Sequence, residues 1–422
     1  MLISIDTLRA DHLGCYGYFR DTSPVIDALA KQSVFFEMCL TPMATTLPAH
    51  ASLLTGTYPI EHGVLGNLRR GAERFTTGVA LRSFAQFARD RGYRTAAFVS
   101  AVPLSSGTGI DAGFEHFDEP AERERLAGET NARVLPWIDE LRGEPFFLWV
   151  HYFDPHHRFE PPRPYDEEFA TDSELESYIK SRNIADRVPR QGGVEGDTRE
   201  WTNGYDGEIR YVDHELGVLF ERLRQRGLWD EVAIVLTSDH GEGIGDHAMA
   251  GHGYIHREQL HVPLMMRIPG VPPKRVRETI SLVDALPTLV GLVDDAGWSG
   301  FVDQATGRDV LADDFTPGPI FGQRSGWGRS DLWGPAYSLT TDRWKYVHEP
   351  QRGDRLFDWS KDPYELTDVL AEHGEIGDSL KTQLLERIGQ YERSVRIAPD
   401  ERQDEVVDPE MLEQLRALGY GD

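Results

Sequence analysis

Side chains suited to binding a metal ion follow short apolar runs at three places in this chain of 422 residues: a lone aspartate at the first, and an aspartate with a histidine at the other two. The residues concerned are Asp6, then Asp154-Pro155-His156, and then the pair Asp239 and His240. A carboxylate oxygen beside an imidazole nitrogen suits Zn²⁺ or Mn²⁺ and is tolerable for Ca²⁺. One aspartate at a strand end more often caps a turn or a helix. Three such endings favour a shared metal site.

A hydroxyl group suited to nucleophilic attack lies in residues 46–56, where Pro48 fits the first turn of a short helix that begins after Thr46. The free N–H groups and the positive dipole at a helix start favour an anionic ester. If a metal ion lowers the pKa of its hydroxyl group, Thr46 can attack phosphorus or sulfur. The alternative is that Thr46 only caps the helix.

Two further histidines extend this group. His252 lies twelve residues after His240, behind a glycine-rich loop that would return it to the same pocket. A cationic or metal-bound imidazole at His156 would hold a non-bridging oxygen of an ester or its leaving group. The alternative for His156 is a turn stabilised by the preceding Asp-Pro pair.

The elements that must position these residues follow from the hydrophobic pattern. Short apolar runs alternate with longer amphipathic stretches, which is typical of an α/β fold with a mainly parallel sheet flanked by helices. The predicted buried strands are residues 2–5, 95–99, 146–152, 232–237 and 262–268. A helix is predicted over residues 205–226, because apolar residues recur there at steps of three and four. Ligands gather at the carboxyl ends of the strands in such sheets.

Two regions depart in composition from this alternation of apolar runs and amphipathic stretches. Residues 162–201 are polar and charged, and they predict an insertion that is either a lid over the sheet or a solvated surface excursion. From about residue 314, aromatic, Gly and Pro residues predict a small antiparallel sheet, followed by a charged helix over residues 374–397 and a last helix near residues 411–419. We therefore predict a catalytic domain over residues 1–313 and a C-terminal subdomain over residues 314–422.

The composition narrows the class of protein. The formal net charge of −26, without a Lys/Arg run, argues against a nucleic-acid-binding scaffold. A small anionic ester remains a suitable partner, because a metal ion reverses the sign of the local field. No apolar run is long enough to span a bilayer. The chain as written is therefore expected in the cytoplasm, or is exported if a leader precedes it.

The two cysteines are expected to be buried thiols. Neither Cys15 nor Cys39 has the spacing of a metal site, and a single disulfide between them is the alternative. The oligomeric state is left open by the sequence.

Together these segments resemble the sulfatase family of the alkaline phosphatase superfamily. The stretch IDTLRADHLGCYGY looks like the N-terminal metal motif of that family, and TLPAHASLLTGTYP aligns with its nucleophile signature. DPHHRFEPP is similar to its substrate-histidine stretch, and TSDHGEGIGDH to its second metal motif. The resemblance implies an alkaline-phosphatase-like fold and a metal-dependent hydrolase.

The chain departs from the family pattern at four positions. Thr46 stands where the family has the Cys or Ser that becomes formylglycine, and the same oxidation of threonine would give a ketone in place of an aldehyde. His50 replaces the signature arginine, Thr7 the second acid of the usual Asp-Asp pair, and His252 the lysine after the second metal motif.

A threonine nucleophile among histidines resembles the phospho-branches of the superfamily, such as phosphodiesterases and phosphoethanolamine transferases. By that resemblance one or two divalent ions are expected, with Zn²⁺ or Mn²⁺ favoured and Ca²⁺ suitable. The implied metal ligands are Asp6, Thr46, Asp239 and His240. The implied catalytic residues are Thr46, His156 and His252. The implied substrate contacts are His50, His156 and His252, of which His156 and His252 would hold the transferring group or a second ion.

The expected reaction is hydrolysis of a phosphate diester or substituted monoester through Thr46. The alternatives are sulfate-ester hydrolysis by an unmodified threonine, transfer of a phospho-group, or a non-catalytic module that binds an anion.

Overall fold

The structure is a computed structural model, and it describes residues 1–67, 75, 77–78, 81–121, 123–189, 195–293, 296–325 and 334–394. In this part of the chain, every helix is too short or too polar to cross a membrane.

The strands of the described residues are, in chain order, β1 Leu2–Ile5, β2 Val34–Leu40, β3 Arg94–Phe98, β4 His116–Asp118, β5 Phe146–Tyr152, β6 Arg187–Pro189, β7 Glu195–Asp197, β8 Ile234–Ser238, β9 Gly243–Ile244, β10 Ala250–Gly251, β11 His261–Arg267, β12 Lys274–Ser281, β13 Ile320–Arg324, β14 Ala336–Thr340, β15 Trp344–His348 and β16 Arg355–Asp358. The helices are α1 Pro24–Ala30, α2 Thr46–Thr55, α3 Pro59–His62, α4 Phe84–Asp90, α5 Ala127–Glu140, α6 Ser173–Ser181, α7 Thr198–Gln225, α8 Arg257–Leu260, α9 Ala285–Val293, α10 Ser299–Gln304 and α11 Gly374–Arg393.

Eight of these strands form one large sheet in the order β12-β2-β11-β8-β1-β5-β3-β4. Each neighbouring pair is parallel except for those made by β11, which runs antiparallel to both β2 and β8. The sheet is therefore mainly parallel, as the sequence predicts. The five predicted strands are all present, with bounds that differ by at most two residues. Strands β2, β4 and β12 were not predicted.

Alternate residues of β1 face opposite sides of the sheet, as the two-residue repeat of a strand requires. Leu2 belongs to an apolar core with Trp149, whereas Ile3 and Ile5 belong to a second core with Val150. Helices α2, α4 and α9 cover the first core, and α1, α5 and α7 cover the second. The sheet is thus buried on both faces, which is why its strands are continuous apolar runs.

Helix α7 carries the predicted apolar stripe, and each of its five members is fully buried: Ile209, Val212, Leu216, Leu219 and Leu223. The helix begins at Thr198, seven residues before the predicted start at Tyr205. The earlier start has a clear cause, because the side chain of Asp197 accepts a hydrogen bond from the Arg199 N–H group and caps the helix there.

The predicted insertion contains α6, the hairpin of β6 and β7, and the first residues of α7. Tyr178 and Arg182 tie it to the loop after β1, since the Tyr178 hydroxyl lies 3.1 Å from Nε2 of His12 and Arg182 pairs with Asp11. Its role as a lid stays a prediction.

The C-terminal region holds an antiparallel sheet of β13, β14, β15 and β16, as predicted, with α11 packed against it. Helix α11 ends at Arg393, four residues before the predicted end. The predicted helix near residues 411–419 lies outside the described residues, and the domain boundary at residue 313 stays a prediction. Cys15 and Cys39 are free thiols; Cys39 is buried and Cys15 half-buried, so the disulfide alternative is wrong.

Candidate metal centre and active site

The carboxyl ends of two neighbouring strands bring Asp6 and Asp239 together. In the pairing of β1 with β8, Ile5 lies opposite Ser238, so the next residue of each strand projects from the same edge of the sheet. The backbone N–H of Thr7 donates to Oδ1 of Asp239 at 3.2 Å, which closes this contact. The adjacency of the parallel strands therefore places two carboxylates from distant parts of the chain side by side.

His240 completes a group that could hold a metal ion. One ligand atom from each of Asp6, Asp239 and His240 lies within 4.8 Å of the others, and all three residues are buried. Nε2 of His240 is 3.3 Å from Oδ2 of Asp239 and 4.0 Å from Oδ1 of Asp6. Both carboxylate oxygens of Asp6, and Oδ2 of Asp239, are buried without a hydrogen-bond partner. Buried carboxylates are costly unless a cation compensates them, so these residues fit a divalent ion.

The protonation equilibria of the group agree with this fit. Burial raises the pKa of Asp6 well above its usual range, and the neighbouring Asp239 carboxylate adds to the rise. Burial likewise raises the pKa of Asp239 to about 6 and lowers the pKa of His240 to about 4. Nδ1 of His240 lies 3.0 Å from the carbonyl oxygen of Gly241, which only accepts hydrogen bonds. Nδ1 therefore carries the ring proton, and Nε2 presents its lone pair to the carboxylates.

Thr46 is the first residue of α2, and its Oγ1 lies 3.5 Å from Nε2 of His240. The sequence placed Thr46 just before the helix, which is wrong by one residue. Thr45 is the N-cap, with the extended backbone typical of that position, so Thr46 is not the capping residue. The Thr46 hydroxyl is fully buried at the positive end of the helix, beside the carboxylates.

His50 lies one turn further along α2 and is hydrogen-bonded on both ring nitrogens. Nδ1 donates to the carbonyl oxygen of Thr46 at 2.8 Å, and Nε2 lies 3.0 Å from Oγ of Ser4. The indole N–H of Trp149 donates to the same Oγ at 2.9 Å, so the Ser4 hydroxyl is free to donate to His50. Burial lowers the pKa of His50, which keeps the ring neutral.

His156 and His252 meet each other next to His240. Their Nε2 atoms are 3.3 Å apart, and the ring of His252 lies with its centroid 4.4 Å from that of His240. The Nδ1 atoms face carbonyl oxygens, of His157 at 2.7 Å and of Ala44 at 3.3 Å. Each Nδ1 therefore donates, and both Nε2 atoms point into the same space. Burial, together with the nearby His252, lowers the pKa of His156 well below its usual range.

Comparison with known proteins identifies the family to which the chain belongs. The sequence model of the family described as Sulfatase matches residues 1–295, which is well over half of the chain. The chain belongs to the sulfatase family. It is accordingly a hydrolase of sulfuric or phosphoric esters.

The relatives of this sulfatase-family chain include an arylsulfatase and a phosphonate monoester hydrolase. It is 25% identical to the multifunctional alkaline phosphatase superfamily protein PehA of Trinickia caryophylli, over 69% of this chain and 72% of that protein. It is 24% identical to an arylsulfatase of Clostridium perfringens, over 92% of this chain and 94% of that protein. The solved structure of phosphonate monoester hydrolase of Agrobacterium radiobacter has the same fold, with a TM-score of 0.73, 23% identity, and coverage of 92% of this chain and 95% of that one.

His151 is a residue of the sulfatase-family site that the sequence analysis missed. It is fully buried near the end of β5, with Nε2 3.4 Å from Oδ2 of Asp6. Its Nδ1 faces the backbone N–H of Ser100 at 3.3 Å, so Nδ1 accepts and the ring proton is on Nε2, toward Asp6. A histidine inside an apolar strand, three residues before Asp154, was the available signal.

A second charged cluster lies on the same loops, and the sequence analysis did not predict it. Nη1 of Arg9 lies 2.6 Å from Oδ2 of Asp246, and Nε lies 2.9 Å from Oδ1 of Asp11. Burial alone would raise the pKa of Asp246, but the Arg9 guanidinium lowers it below its usual range. Arg9 also donates to the carbonyl oxygen of Glu242 at 3.1 Å, which ties the loop after β1 to the loop after β8.

Thr7, at the position of the second family acid, has a strained backbone. Its φ is 53°, in the left-handed region that a β-branched residue rarely adopts. The hydroxyl of Tyr205 donates to its carbonyl oxygen at 2.7 Å, and the backbone N–H of Arg9 donates to that hydroxyl at 2.9 Å. Helix α7 therefore clamps the turn that carries Asp6.

Proposed function

We propose that the chain hydrolyses phosphate esters, either diesters or substituted monoesters, with Thr46 as the nucleophile. The observation that carries this proposal is the position of the Thr46 hydroxyl, at a helix start and 3.5 Å from a histidine that stands between two buried carboxylates. A substrate phosphorus atom brought to Thr46 would lie beside any cation held there.

Asp6, Asp239, His240 and Thr46 would hold one divalent ion. When bound, the ion would lower the pKa of the Thr46 hydroxyl and offset charge on the phosphoryl oxygens. The mixed set of carboxylate and imidazole ligands favours Zn²⁺ or Mn²⁺ and also suits Ca²⁺.

The residues of the chain divide the reaction between them. Oγ1 of Thr46 gives its proton to water and attacks phosphorus, while the positive end of α2 stabilises the charge on the phosphoryl group. The bond from phosphorus to the alcohol breaks, and the alcohol oxygen takes a proton from a water molecule that donates its other hydrogen to the neutral Nε2 atoms of His156 and His252. Water then cleaves the phosphothreonine, and Oγ1 recovers a proton. His50 positions Thr46 through its bond to the Thr46 carbonyl, while its predicted contact with the substrate stays a prediction.

The residue type at position 46 favours phosphate over sulfate. A threonine cannot supply the aldehyde hydrate that formylglycine supplies, so the covalent intermediate must be an ordinary ester that water attacks at its central atom. The similarity to a phosphonate monoester hydrolase and to a multifunctional alkaline phosphatase superfamily protein supports a phosphoryl substrate. The similarity to an arylsulfatase keeps sulfate-ester hydrolysis as the second candidate.

The separation of His156 and His252 also suits a second ion. Two imidazole nitrogens bound to one tetrahedral Zn²⁺ lie roughly 3.3–3.4 Å apart, and the two Nε2 atoms are 3.3 Å apart. Donation of each Nδ1–H to a carbonyl oxygen is the usual support for a metal-binding histidine. Metal analysis that gives two ions per chain, and one in His252→Gln, would assign this pair to a second ion in place of the water that protonates the leaving alcohol.

The proposal is tested by Thr46→Ala beside its neighbour Thr45→Ala. Thr45 is the adjacent N-cap, and its side chain makes no capping hydrogen bond, so it is a matched control. We expect Thr46→Ala to lose turnover of every ester that the wild type cleaves, Thr46→Ser to keep part of it, and Thr45→Ala to stay near wild type. Mass spectrometry of acid-quenched wild type should find phosphate on the peptide with Thr46. Wild-type turnover by Thr46→Ala would contradict the proposal.

Substrate class is tested by a paired assay. Aryl phosphate, aryl phosphodiester and aryl sulfate are compared under Zn²⁺, Mn²⁺, Ca²⁺ and Mg²⁺, and the proposal predicts that a phosphoryl substrate has the highest kcat/KM. Preference for the sulfate would favour the second candidate. Release of phosphate onto an added alcohol in place of water would indicate a transferase, and metal binding without turnover of any ester would indicate a non-catalytic module.

A further inference from the structure

A cavity of about 710 Å³ is lined in part by the Arg9 cluster, through Arg9, Asp11 and Asp246. Its walls come from the loop after β1, the strands β2, β11 and β12, helix α8, and the segment after β16. The residues of the metal centre and Thr46 are not among its lining residues. Two motif residues that the proposed reaction does not use, Asp246 and His247, do line it.

Several arginines line this cavity, and most have a carboxylate partner. Arg9 pairs with Asp11 and Asp246, and Arg182 pairs with Asp11. Arg275 lies 2.9 Å from a carboxylate oxygen of Glu37 and Arg277 lies 4.0 Å from the same oxygen. Each of these four arginines therefore has a carboxylate oxygen within 4.0 Å.

Arg257 differs from these arginines. Nη1 donates to the carbonyl oxygen of Pro363 at 3.1 Å, and the guanidinium stacks on Trp359 with its carbon 5.0 Å from the ring centroid. Within the described residues, no carboxylate forms an ion pair with Arg257, and its other N–H groups have no partner. Burial lowers the pKa of Arg257, and the carboxylates of Asp11 and Glu365, which form no ion pair with it, offset only part of that effect.

The chemistry of the surrounding wall suits a small organic anion. Trp359, Tyr364 and Tyr16 give the cavity aromatic surfaces. Arg182, from the predicted insertion, stacks on Tyr364 at 4.5 Å and closes one side of the cavity. The acids of the wall are engaged elsewhere, Glu258 with His247 and Glu37 with Arg275, apart from the exposed Asp342.

We propose that this cavity is a second binding site, which takes a small oxyanion-bearing molecule, a phosphate or a carboxylate, on the guanidinium of Arg257. The fork of N–H donors on an arginine matches both groups, and a hydrogen bond from a charged donor to a charged acceptor is stronger than one between neutral groups. The site is separate from Thr46 and does not depend on the reaction proposed above.

The test uses the metal-loaded protein and isothermal titration with inorganic phosphate and, separately, succinate. Phosphate is expected to bind wild type at two sites, because the metal centre also takes the anion. Asp239→Asn should remove the first site and keep the second. Arg257→Gln should weaken the second site by about 10- to 100-fold, the scale of a lost charged hydrogen bond. Whichever of phosphate and succinate binds Asp239→Asn more tightly identifies the anion class.

The matched control is Arg224→Gln, since Arg224 also stacks on a tryptophan, Trp229 at 4.2 Å, but does not line the cavity. We expect its affinities to equal those of wild type. If Arg257→Gln does not fold, Arg257→Lys keeps the charge but not the fork, and an intermediate affinity is expected. Crystals of wild type soaked in tungstate should show an anomalous peak beside Arg257. Wild-type affinities in Arg257→Gln, absence of binding by Asp239→Asn up to millimolar anion, or a tungstate peak only at the metal centre would each overturn the proposal.

Discussion

Two buried clusters of charge share the loops after β1 and β8, and they are built in opposite ways. At the metal centre, Asp6 and Asp239 face each other with buried oxygens that have no partner. In the second cluster, Asp11 and Asp246 close around Arg9. Asp239 and Asp246 stand on one short loop, yet the pKa of the first is raised to about 6 and that of the second is lowered. The difference in pKa distinguishes Asp6 and Asp239, which fit a metal ion, from Asp11 and Asp246, which pair with Arg9 and connect the two loops.

The contrast has a physical basis in the cost of burying charge. An ion pair with good hydrogen-bond geometry recovers much of that cost, whereas two like charges in a dry site recover none of it. Folding therefore tolerates the Asp6 and Asp239 pair because strands of the sheet and the clamp on Thr7 fix both residues in place. The metal-free centre therefore carries an uncompensated cost of buried charge, whereas the Arg9 cluster recovers much of its own cost.

The largest expected effect follows from removing one metal-centre carboxylate. Asp239→Asn should reduce ester turnover by at least about 10⁴-fold, the scale seen when one member of a catalytic set is lost. It should also bind less than one ion per chain in elemental analysis. In EDTA, the variant should be at least as stable as wild type in urea unfolding, because a like-charge contact is relieved. If Asp239→Asn binds a full ion and stays active, Asp239 is not a metal ligand, and the proposed difference between the two clusters is wrong.

The matched change in the second cluster should act on stability instead. Asp246→Asn leaves the buried guanidinium of Arg9 with one carboxylate, and we expect a loss of about 3 kcal/mol in the free energy of unfolding. Urea unfolding in EDTA measures this loss. At temperatures where the variant is folded, its metal content should equal that of wild type. A variant that keeps full stability but loses its metal would show that Asp246 belongs to the metal centre.

The smallest effect is a pH dependence of the metal-free protein. Because the pKa of Asp239 is raised from 3.8 to about 6, the folded state binds more protons than the unfolded state between those values. The free energy of unfolding should therefore fall by at most about 3 kcal/mol as pH rises through that window. Asp11 and Asp246 have lowered pKa values, so their contribution is lost only at more acidic pH.

Other buried carboxyls also titrate in this pH range. The test therefore compares wild type with Asp239→Asn in how steeply the free energy of unfolding changes with pH. The pKa of Asp284 is raised to about 6 and that of Asp154 to about 7, both by burial. Asp239→Asn should flatten the slope that wild type shows in EDTA, and added Zn²⁺ should reverse the wild-type slope because the ion competes with protons. Equal slopes in wild type and Asp239→Asn would contradict the assigned pKa.

The sequence was sufficient to predict the parts of the molecule that depend on local pattern. The apolar runs predict the central strands, and parallel strands bring Asp6 and Asp239 to one edge without knowledge of their order. The start of α2 was placed within one residue of Thr46. The antiparallel direction of β11, the interior strand β2 and the edge strand β12 were not predictable, because their pairing depends on register with distant strands.

The same limit applies to the site. Arg9 and Asp246 are 237 positions apart, and nothing in either segment alone marks them as partners. His151 was missed because a histidine inside an apolar strand is usually a core residue. Its contact with Asp6 depends on the pairing of β1 with β5, where Ser4 lies opposite His151. Local pattern thus gives the candidate residues, and strand pairing decides which of them meet.

The most direct test of the account is a crystal structure of the wild-type protein with Mn²⁺ and orthovanadate, with data collected at the manganese absorption edge. The account predicts an anomalous peak contacted by the side chains of Asp6, Asp239 and His240, with vanadium bonded to Oγ1 of Thr46. A manganese peak at other side chains, or vanadate held at this ion without contact to Thr46, would contradict it.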